Sequence, residues 1–308
     1  MIGIDESKLD PDYWKKIDSL ADKIIKLPKD SPEIMKQLAD VDCLLVNFGV
    51  DVRRDHIDAA PNLKYIGTLS IAFNRVDIGY AKTKGISVCN LAGYCTEAVA
   101  EFVFAAILEQ MRELERGKQV AREADYSGYG FSAIEIKDKI FGVLGLGRIG
   151  TRVAEIALGF GAKVCYWSRN RKTNIEKKDI EFVDADKLVS ESDFISLNFA
   201  LTNDTKNFLN EERTGNIKSG AVIINTCPME LVDIDALEKR LAKGDITFIL
   251  DHSDETSAEE LAKISKYKNC IIYPPIAYVS KEARIEKQRL FVDNMENFLR
   301  GSPTNKVN

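Results

Sequence analysis

Three glycines in the stretch Gly145-Leu146-Gly147-Arg148-Ile149-Gly150 are the residues whose type and spacing point most directly to chemistry. They follow an apolar run, Ile140 to Leu144. They precede a helical pattern in which Ile149, Val153, Ile156, Ala157 and Phe160 recur before Gly161 ends it. A second apolar run, Ala162 to Trp167, comes next. Strand, glycine turn, helix and strand form the setting in which G-x-G-x-x-G holds a dinucleotide. Gly145 would make the tight turn, Gly147 would let the backbone approach the pyrophosphate, and Gly150 would let helix and strand pack closely. The pyrophosphate then meets free N–H groups and the positive end of the helix dipole.

The end of the second strand bears on which dinucleotide is held. NAD-binding units place an Asp or Glu there, on the adenosine ribose hydroxyls. This chain has Ser168, followed by Arg169, Arg171 and Lys172. A carboxylate would repel a 2′-phosphate, whereas a hydroxyl and a guanidinium can hydrogen-bond it, the guanidinium through two oxygens. The sequence therefore favours NADP(H) over NAD(H). A solvated basic loop, with NAD held through other contacts, is the alternative.

The elements that must position these residues alternate along the chain. Strand-like runs at Cys43 to Phe48, Leu63 to Leu69 and Ile86 to Cys89 are separated by helical stretches at Arg53 to Ala59 and Val76 to Lys84. A helix opened by Asp10-Pro11 and another opened by Ser31-Pro32-Glu33 precede them. Thr96 to Gly117 reads as one long helix, and Ala121 to Lys137 as irregular chain. After Trp167 come strands Phe194 to Leu197, Ala221 to Asn225, Thr247 to Leu250 and Cys270 to Tyr273. Helices Glu211 to Ile217, Ile234 to Lys243 and Ala258 to Ser265 lie between them, and Lys281 to Arg300 closes the chain. This is an α/β chain of parallel βαβ units.

With 308 residues, two domains are expected. A net charge of −5 gives no electrostatic case for nucleic acid or an anionic membrane. The longest apolar stretch, Ala98 to Leu108, is interrupted by Glu101 and is too short to span a bilayer. Acidic and polar residues from Asp5 onward argue against a signal peptide. Six cysteines without a C-x-x-C pair, and two histidines, His56 and His252, argue against a zinc site and for a reducing cytoplasm.

Taken together, Val76 to Glu101, Gly142 to Gly150, Leu201 to Arg213, Ala221 to Thr226 and Leu231 to Leu237 resemble the D-isomer-specific 2-hydroxyacid dehydrogenase family. In motif they are most like its glyoxylate/hydroxypyruvate reductase members. The resemblance runs almost the full length. It implies two flavodoxin- or Rossmann-like parallel-sheet domains, with the cofactor domain (residues 96–275) inserted into the substrate domain (1–95 plus 276–308). It also implies a homodimer formed through the cofactor domains, with the segment Tyr126 to Phe131 as a candidate contact. Asp251 would contact the nicotinamide amide, and Arg148, Ile149 and Thr226 would line the phosphates and nicotinamide ribose. Cys227 joins this cofactor-binding set as their neighbour. The implied activity is hydride transfer between a nicotinamide cofactor and a small 2-hydroxy or 2-keto acid, or a related carbonyl.

The family's mechanism uses an arginine on the substrate carboxylate and keto oxygen, a histidine that donates the proton, and a glutamate that orients the histidine. Pro228 stands at the arginine position and Pro275 at the histidine position. Proline has no ionisable group and no N–H, so neither role survives in place. The glutamate position is open among Asp254, Glu255 and Glu259. Ser70-Ile71-Ala72-Phe73 replaces the family's glycine-bearing substrate-carboxylate loop, and Glu230 replaces a glycine where it would repel an acidic substrate. His252, next to Asp251, is the candidate relocated proton donor, with Glu255 as its candidate partner. A surface histidine is the bland alternative. Cys227 reads either as a reactive thiol or as a small buried residue. The chain is thus either an NAD(P)-dependent oxidoreductase with a non-standard site or an inactive dinucleotide-binding homologue serving as sensor or scaffold.

Overall fold

The structure is a computed structural model. It describes residues 1–5, 7–176 and 179–308, the Glu255 side chain excepted. The chain divides into two compact units, one of Met1–Cys95 with Ser280–Asn308 and one of Thr96–Val279.

The first unit holds a parallel sheet of β1 (Cys43–Val46), β2 (Tyr65–Thr68) and β3 (Ser87–Cys89), in that order. Ile2 makes parallel bridges to Val46 on one side and Leu27 on the other, and Lys306 adds an antiparallel bridge to Cys89. If the bridging residues count as strands, the parallel order is second, first, third, fourth, fifth, which is the flavodoxin-like winding. Its first two members amount to single bridges, where the sequence showed only the short apolar start Ile2 to Ile4. The helix Pro11–Leu20 buries Trp14 and Ile17. Gln288, buried on the C-terminal helix Lys281–Leu299, donates to the Asp10 carboxylate and accepts from the Asp10 N–H at the start of that first helix.

The second unit contains β4 (Ile140–Leu144), β5 (Lys163–Trp167), β6 (Ile180–Phe182), β7 (Phe194–Leu197), β8 (Val222–Asn225), β9 (Thr247–Leu250) and β10 (Cys270–Ile272). They form one parallel sheet, ordered β10-β9-β8-β7-β4-β5-β6. β7 and β8 are buried along their whole length, as strands with helices on both faces must be. One apolar cluster, including Leu188, Leu237 and Ile264, fills one face. Val103, Ile107, Val153 and Ala157 pack on the other. The chain order reverses between β4 and β7, and ligands of such sheets bind outside the carboxyl ends of the strands at that point.

Three expectations are corrected. The helix expected from Thr96 to Gly117 is two, Thr96–Met111 and Leu114–Arg122. They break at Glu113, which has a left-handed φ of 48° and whose carboxylate accepts from the Ser132 N–H at 2.6 Å and from Arg116 at 2.5 Å. Those bonds compensate a conformation that disfavours a side chain. The stretch from Ala121 consequently begins inside a helix. β6 and the helix Ala185–Glu191, capped by Asp184, also lie where no element was expected. Finally, the return to the first unit falls at Ser280 rather than residue 276, because Ile276 and Ala277 are bonded to Asp251 of the second unit.

Candidate functional site

The glycine turn joins β4 to the helix Arg148–Gly159. Gly145 has φ +96°, and a Cβ there would come within 2.8 Å of the Asn198 carbonyl oxygen and the Phe199 Cβ at the end of β7. A Cβ on Gly150 would lie 1.9 Å from the Gly145 carbonyl oxygen, so helix and turn touch backbone to backbone. A Cβ on Gly147 would meet nothing within 4 Å. Two glycines are therefore required by the protein's own packing, and the middle one faces open space. Gly147 is also the N-cap, and it supplies no side-chain cap to the helix that Arg148 and Ile149 begin. Uncapped N–H groups beside an open cradle are what an anion at a helix N-terminus needs, so these residues fit a bound pyrophosphate.

At the end of β5, the Ser168 hydroxyl donates to the Asn170 carbonyl at 2.7 Å, shaping the turn. Arg171 grips Glu176 with two bonds of 2.9 and 2.8 Å and is thereby committed within the protein. Arg169 reaches the Thr202 hydroxyl at 3.2 Å and the exposed Asp204 at 4.0 Å, and stays largely exposed. Of these two arginines, Arg169 is the one left available to a ligand. Trp167 packs edge-on to Phe199, at 6.2 Å between ring centroids, and against Phe208 at 4.7 Å. The Thr205 hydroxyl accepts from the Thr202 N–H at 2.7 Å and donates to the Ala200 carbonyl at 2.8 Å, fixing the loop after β7. Asn198, Phe199, Thr202 and Thr205 went unassigned in the sequence. The threonine pair, three residues apart directly after a strand, was the available signal.

Beyond β7, the ends of β8 and β9 lie side by side. The Asp251 N–H donates to the Asn225 carbonyl at 3.1 Å, and the buried Asn225 amide oxygen accepts from the Cys227 N–H at 3.0 Å. Asp251 is fully buried. Its Oδ1 accepts from the Ile276 and Ala277 amides at 2.9 and 3.0 Å, and its Oδ2 has no hydrogen-bond partner among the described residues. Burial pushes its carboxyl above the ordinary range, against the pull of those two amides. His252, next along, has a buried Nδ1 with no hydrogen-bond partner among the described residues, 3.9 Å from an Asp254 oxygen. Both residues thus present an unpartnered polar atom at one strand end, whereas most buried polar groups are paired.

Thr226 is half-buried in the turn after β8. The Cys227 thiol donates to the Leu197 carbonyl at 3.2 Å, and burial pushes it up to about 12. That bond and that burial favour the reading of a small residue packed against β7 over a reactive thiol. Pro228 precedes a short turn, Met229–Leu231, and Glu230 is exposed. Pro275 is half-buried, and Asp254 and Glu259 are exposed. The Glu255 side chain lies outside the described residues, so its pairing with His252 has no geometry to report. Among the described residues no cluster of histidine, cysteine and carboxylates could hold a metal. No described helix is long and apolar enough to cross a membrane.

The sheet order, the glycine cradle and the row of strand ends from Ser168 through Gly145 to Asp251 define a dinucleotide-binding α/β fold. Residues 104–277 match the family model described as D-isomer specific 2-hydroxyacid dehydrogenase, NAD binding domain. A hydroxypyruvate reductase of Blautia hydrogenotrophica is 31% identical over 96% of this chain and 94% of its own length. A glyoxylate reductase of Thermofilum pendens is 33% identical over 91% of this chain and 86% of its own. Among solved structures, a D-lactate dehydrogenase of Aquifex aeolicus complexed with NAD and lactic acid superposes with a TM-score of 0.84 at 28% identity, covering 97% and 95% of the two chains. An acyclic imino acid reductase in complex with NADPH and D-Arg gives 0.85 at 29%, covering 97% and 96%. The chain belongs to the D-isomer-specific 2-hydroxyacid dehydrogenase family, and so to the NAD(P)-dependent oxidoreductases acting on CH–OH groups.

Proposed function

We propose that the chain transfers hydride from NADPH to a small 2-keto acid or related carbonyl in a site that works without the family's arginine and histidine. The observation that carries this reading is the cradle. Gly147 opens onto free space while Gly145 and Gly150 are locked by backbone contact, so the turn retains the shape a pyrophosphate requires. A bound dinucleotide supplies the hydride. The helix N-terminus at Arg148 and Ile149 would hold its phosphates, with Thr226 and Cys227 lining the turn beside its nicotinamide ribose. Asp251, by its unpartnered Oδ2, would hold the nicotinamide end. Ser168 and the exposed Arg169 favour a 2′-phosphate over a bare ribose. His252 would hold or deliver a proton at the substrate's heteroatom. Glu255 ends the short turn Ser253–Glu255 that His252 precedes, and is its proposed carboxylate partner. The relatives named hydroxypyruvate and glyoxylate reductase support the substrate size. We also propose a homodimer through the segment at Tyr126 and Tyr129, which are 84% and 91% exposed.

Fluorescence titration with NADPH and NADH, then the same samples with keto acids, aldehydes and imines, tests the reading. Tighter NADPH binding and loss of nicotinamide absorbance are expected. Binding without turnover on any of these compounds would overturn the reading in favour of an inactive sensor or scaffold.

A further inference from the structure

We infer that Asn90 is a positioning residue for the substrate: its side-chain amide holds the loop of residues 70–73 so that the loop's N–H groups receive the substrate's carboxylate. This rests on the function proposed above and deepens it, since Pro228 leaves that carboxylate without an arginine. Asn90 and the loop both belong to the first unit, just past the carboxyl ends of β3 and β2, where ligands of such sheets bind. The loop's first three carbonyls are all engaged. Ser70 O accepts from the Leu91 N–H at 3.0 Å and the Thr68 hydroxyl at 3.2 Å. Ile71 O accepts from the Asn90 amide at 2.7 Å, and Ala72 O from the Ser70 hydroxyl at 2.6 Å. In a trans peptide the N–H points opposite to the C=O, so the N–H groups of Ile71 and Ala72 turn away from residues 90 and 91. Those two and the Phe73 N–H have no acceptor among the described residues. Ser70, Ala72 and Phe73 border a cleft of about 240 Å³ that Asn47, Phe48 and Arg75 also line. The Arg75 guanidinium is already engaged by Asp51 at 3.1 Å. What the loop offers an anion is its row of N–H groups, and oriented backbone N–H groups bind anions.

A second, independent observation sets Asn90 apart from a packing residue. Asn90 is 4% exposed, and its Oδ1 is buried with no hydrogen-bond partner among the described residues. An apolar side chain would fill the space without that cost. The amide's orientation is fixed by chemistry, because exchanging its oxygen and nitrogen would set two acceptors face to face at Ile71. The Asn90 backbone is held as well. Its N–H donates to the Asn305 carbonyl at 3.2 Å, and its carbonyl accepts from the buried Asn294 amide at 2.8 Å. Asn294 Oδ1 in turn accepts from the Thr304 hydroxyl and the Asn305 amide, both at 2.9 Å. Through Asn90 the loop is thus tied to the helix Lys281–Leu299 and to the segment after it. A carboxylate then meets N–H groups already oriented, which lowers the ordering cost of binding.

The test compares the full parent chain with Asn90→Ala and Asn90→Leu, each with NADPH and either glyoxylate or the neutral glycolaldehyde. Leucine keeps the side-chain volume, so the second variant reports where a cavity would unfold the first. Both variants should raise the glyoxylate KM about tenfold, the effect of one hydrogen bond. Its kcat should stay within about twofold, as for an interaction made equally in ground and transition states. Glycolaldehyde kcat/KM and the NADPH Kd should also stay within about twofold, which a general loss of structure would not allow. Oxamate, an unreactive carboxylate of pyruvate's size, titrated by calorimetry into the NADPH-loaded chain, reads the loop without turnover and should bind about tenfold more weakly to both variants. Equal losses for glyoxylate and glycolaldehyde, or oxamate binding that is absent from the parent or unchanged in the variants, would overturn the inference; turnover by the parent would leave the proposed function standing. Oxamate bound and weakened as expected, with neither substrate reduced, would overturn the proposed function alone.

Discussion

Gly147 and Gly150 differ in a way that substitution can separate. A side chain on Gly147 enters open space, so Gly147→Leu should leave the thermal midpoint within about 2 °C of the parent, as surface changes usually do. The same change should raise the NADPH Kd at least about a hundredfold by occupying the cradle. In Gly150→Ala the methyl would lie 1.9 Å from the Gly145 carbonyl oxygen, so helix or turn must move. Its thermal midpoint should fall markedly, read by circular dichroism. Asp251 gives a prediction with a definite sign. Its folded carboxyl titrates above its unfolded value, so the native state binds the extra proton. Its ionised form therefore works against folding, by an amount that grows as pH rises through the folded value. Asp251→Asn should raise the thermal midpoint more at pH 7 than at about pH 3.5, below the ordinary carboxylate value. An equal gain at both would contradict the burial argument. The glycine roles were legible because they are local: one turn, one spacing. The bonds from Asp251 to Ile276 and Ala277 join residues 25 and 26 positions apart, and no local pattern announces them.

The proposed preference for NADPH rests on the end of β5. Arg171 is spent on Glu176 and Arg169 is not. Ser168→Asp with Arg169→Ile should therefore shift the ratio of kcat/KM for NADPH over NADH at least about tenfold toward NADH, since a charge-assisted phosphate contact is lost and a repulsive carboxylate gained. No shift would mean that the 2′-phosphate is read elsewhere. The basic stretch was legible, but its division of labour was not, because Glu176 recruits Arg171 only once the chain folds back after β5. β6 was missed for a related reason. Ile180-Glu181-Phe182 is three residues long and has a charge at its centre, and it holds as a strand by pairing with Val164, Cys165 and Tyr166. The break at Glu113 was hidden because Val99, Val103 and Leu114 keep helical apolar spacing across it. What stops the helix is a side chain bonding to Ser132, nineteen positions away.

Across the whole chain, alternating strands and helices announced parallel α/β architecture, and both sheets are parallel in all their named strands. The winding of the first unit was less visible, since two of its members are single bridges at Ile2 and Leu27. The proposed homodimer should have a mass of about twice 34.5 kDa, measured by sedimentation, and Tyr126→Ala with Tyr129→Ala should shift it toward the single chain. The central claim is that this chain keeps a working cofactor cradle and uses it for hydride transfer despite Pro228 and Pro275. The most direct test is to supply NADPH deuterated at the transferring position together with keto acids and imines, and to weigh the reduced products by mass spectrometry. The account predicts one deuterium on the reduced carbon of at least one product, abolished by Gly147→Leu. Tight NADPH binding with no deuterium in any product would contradict it.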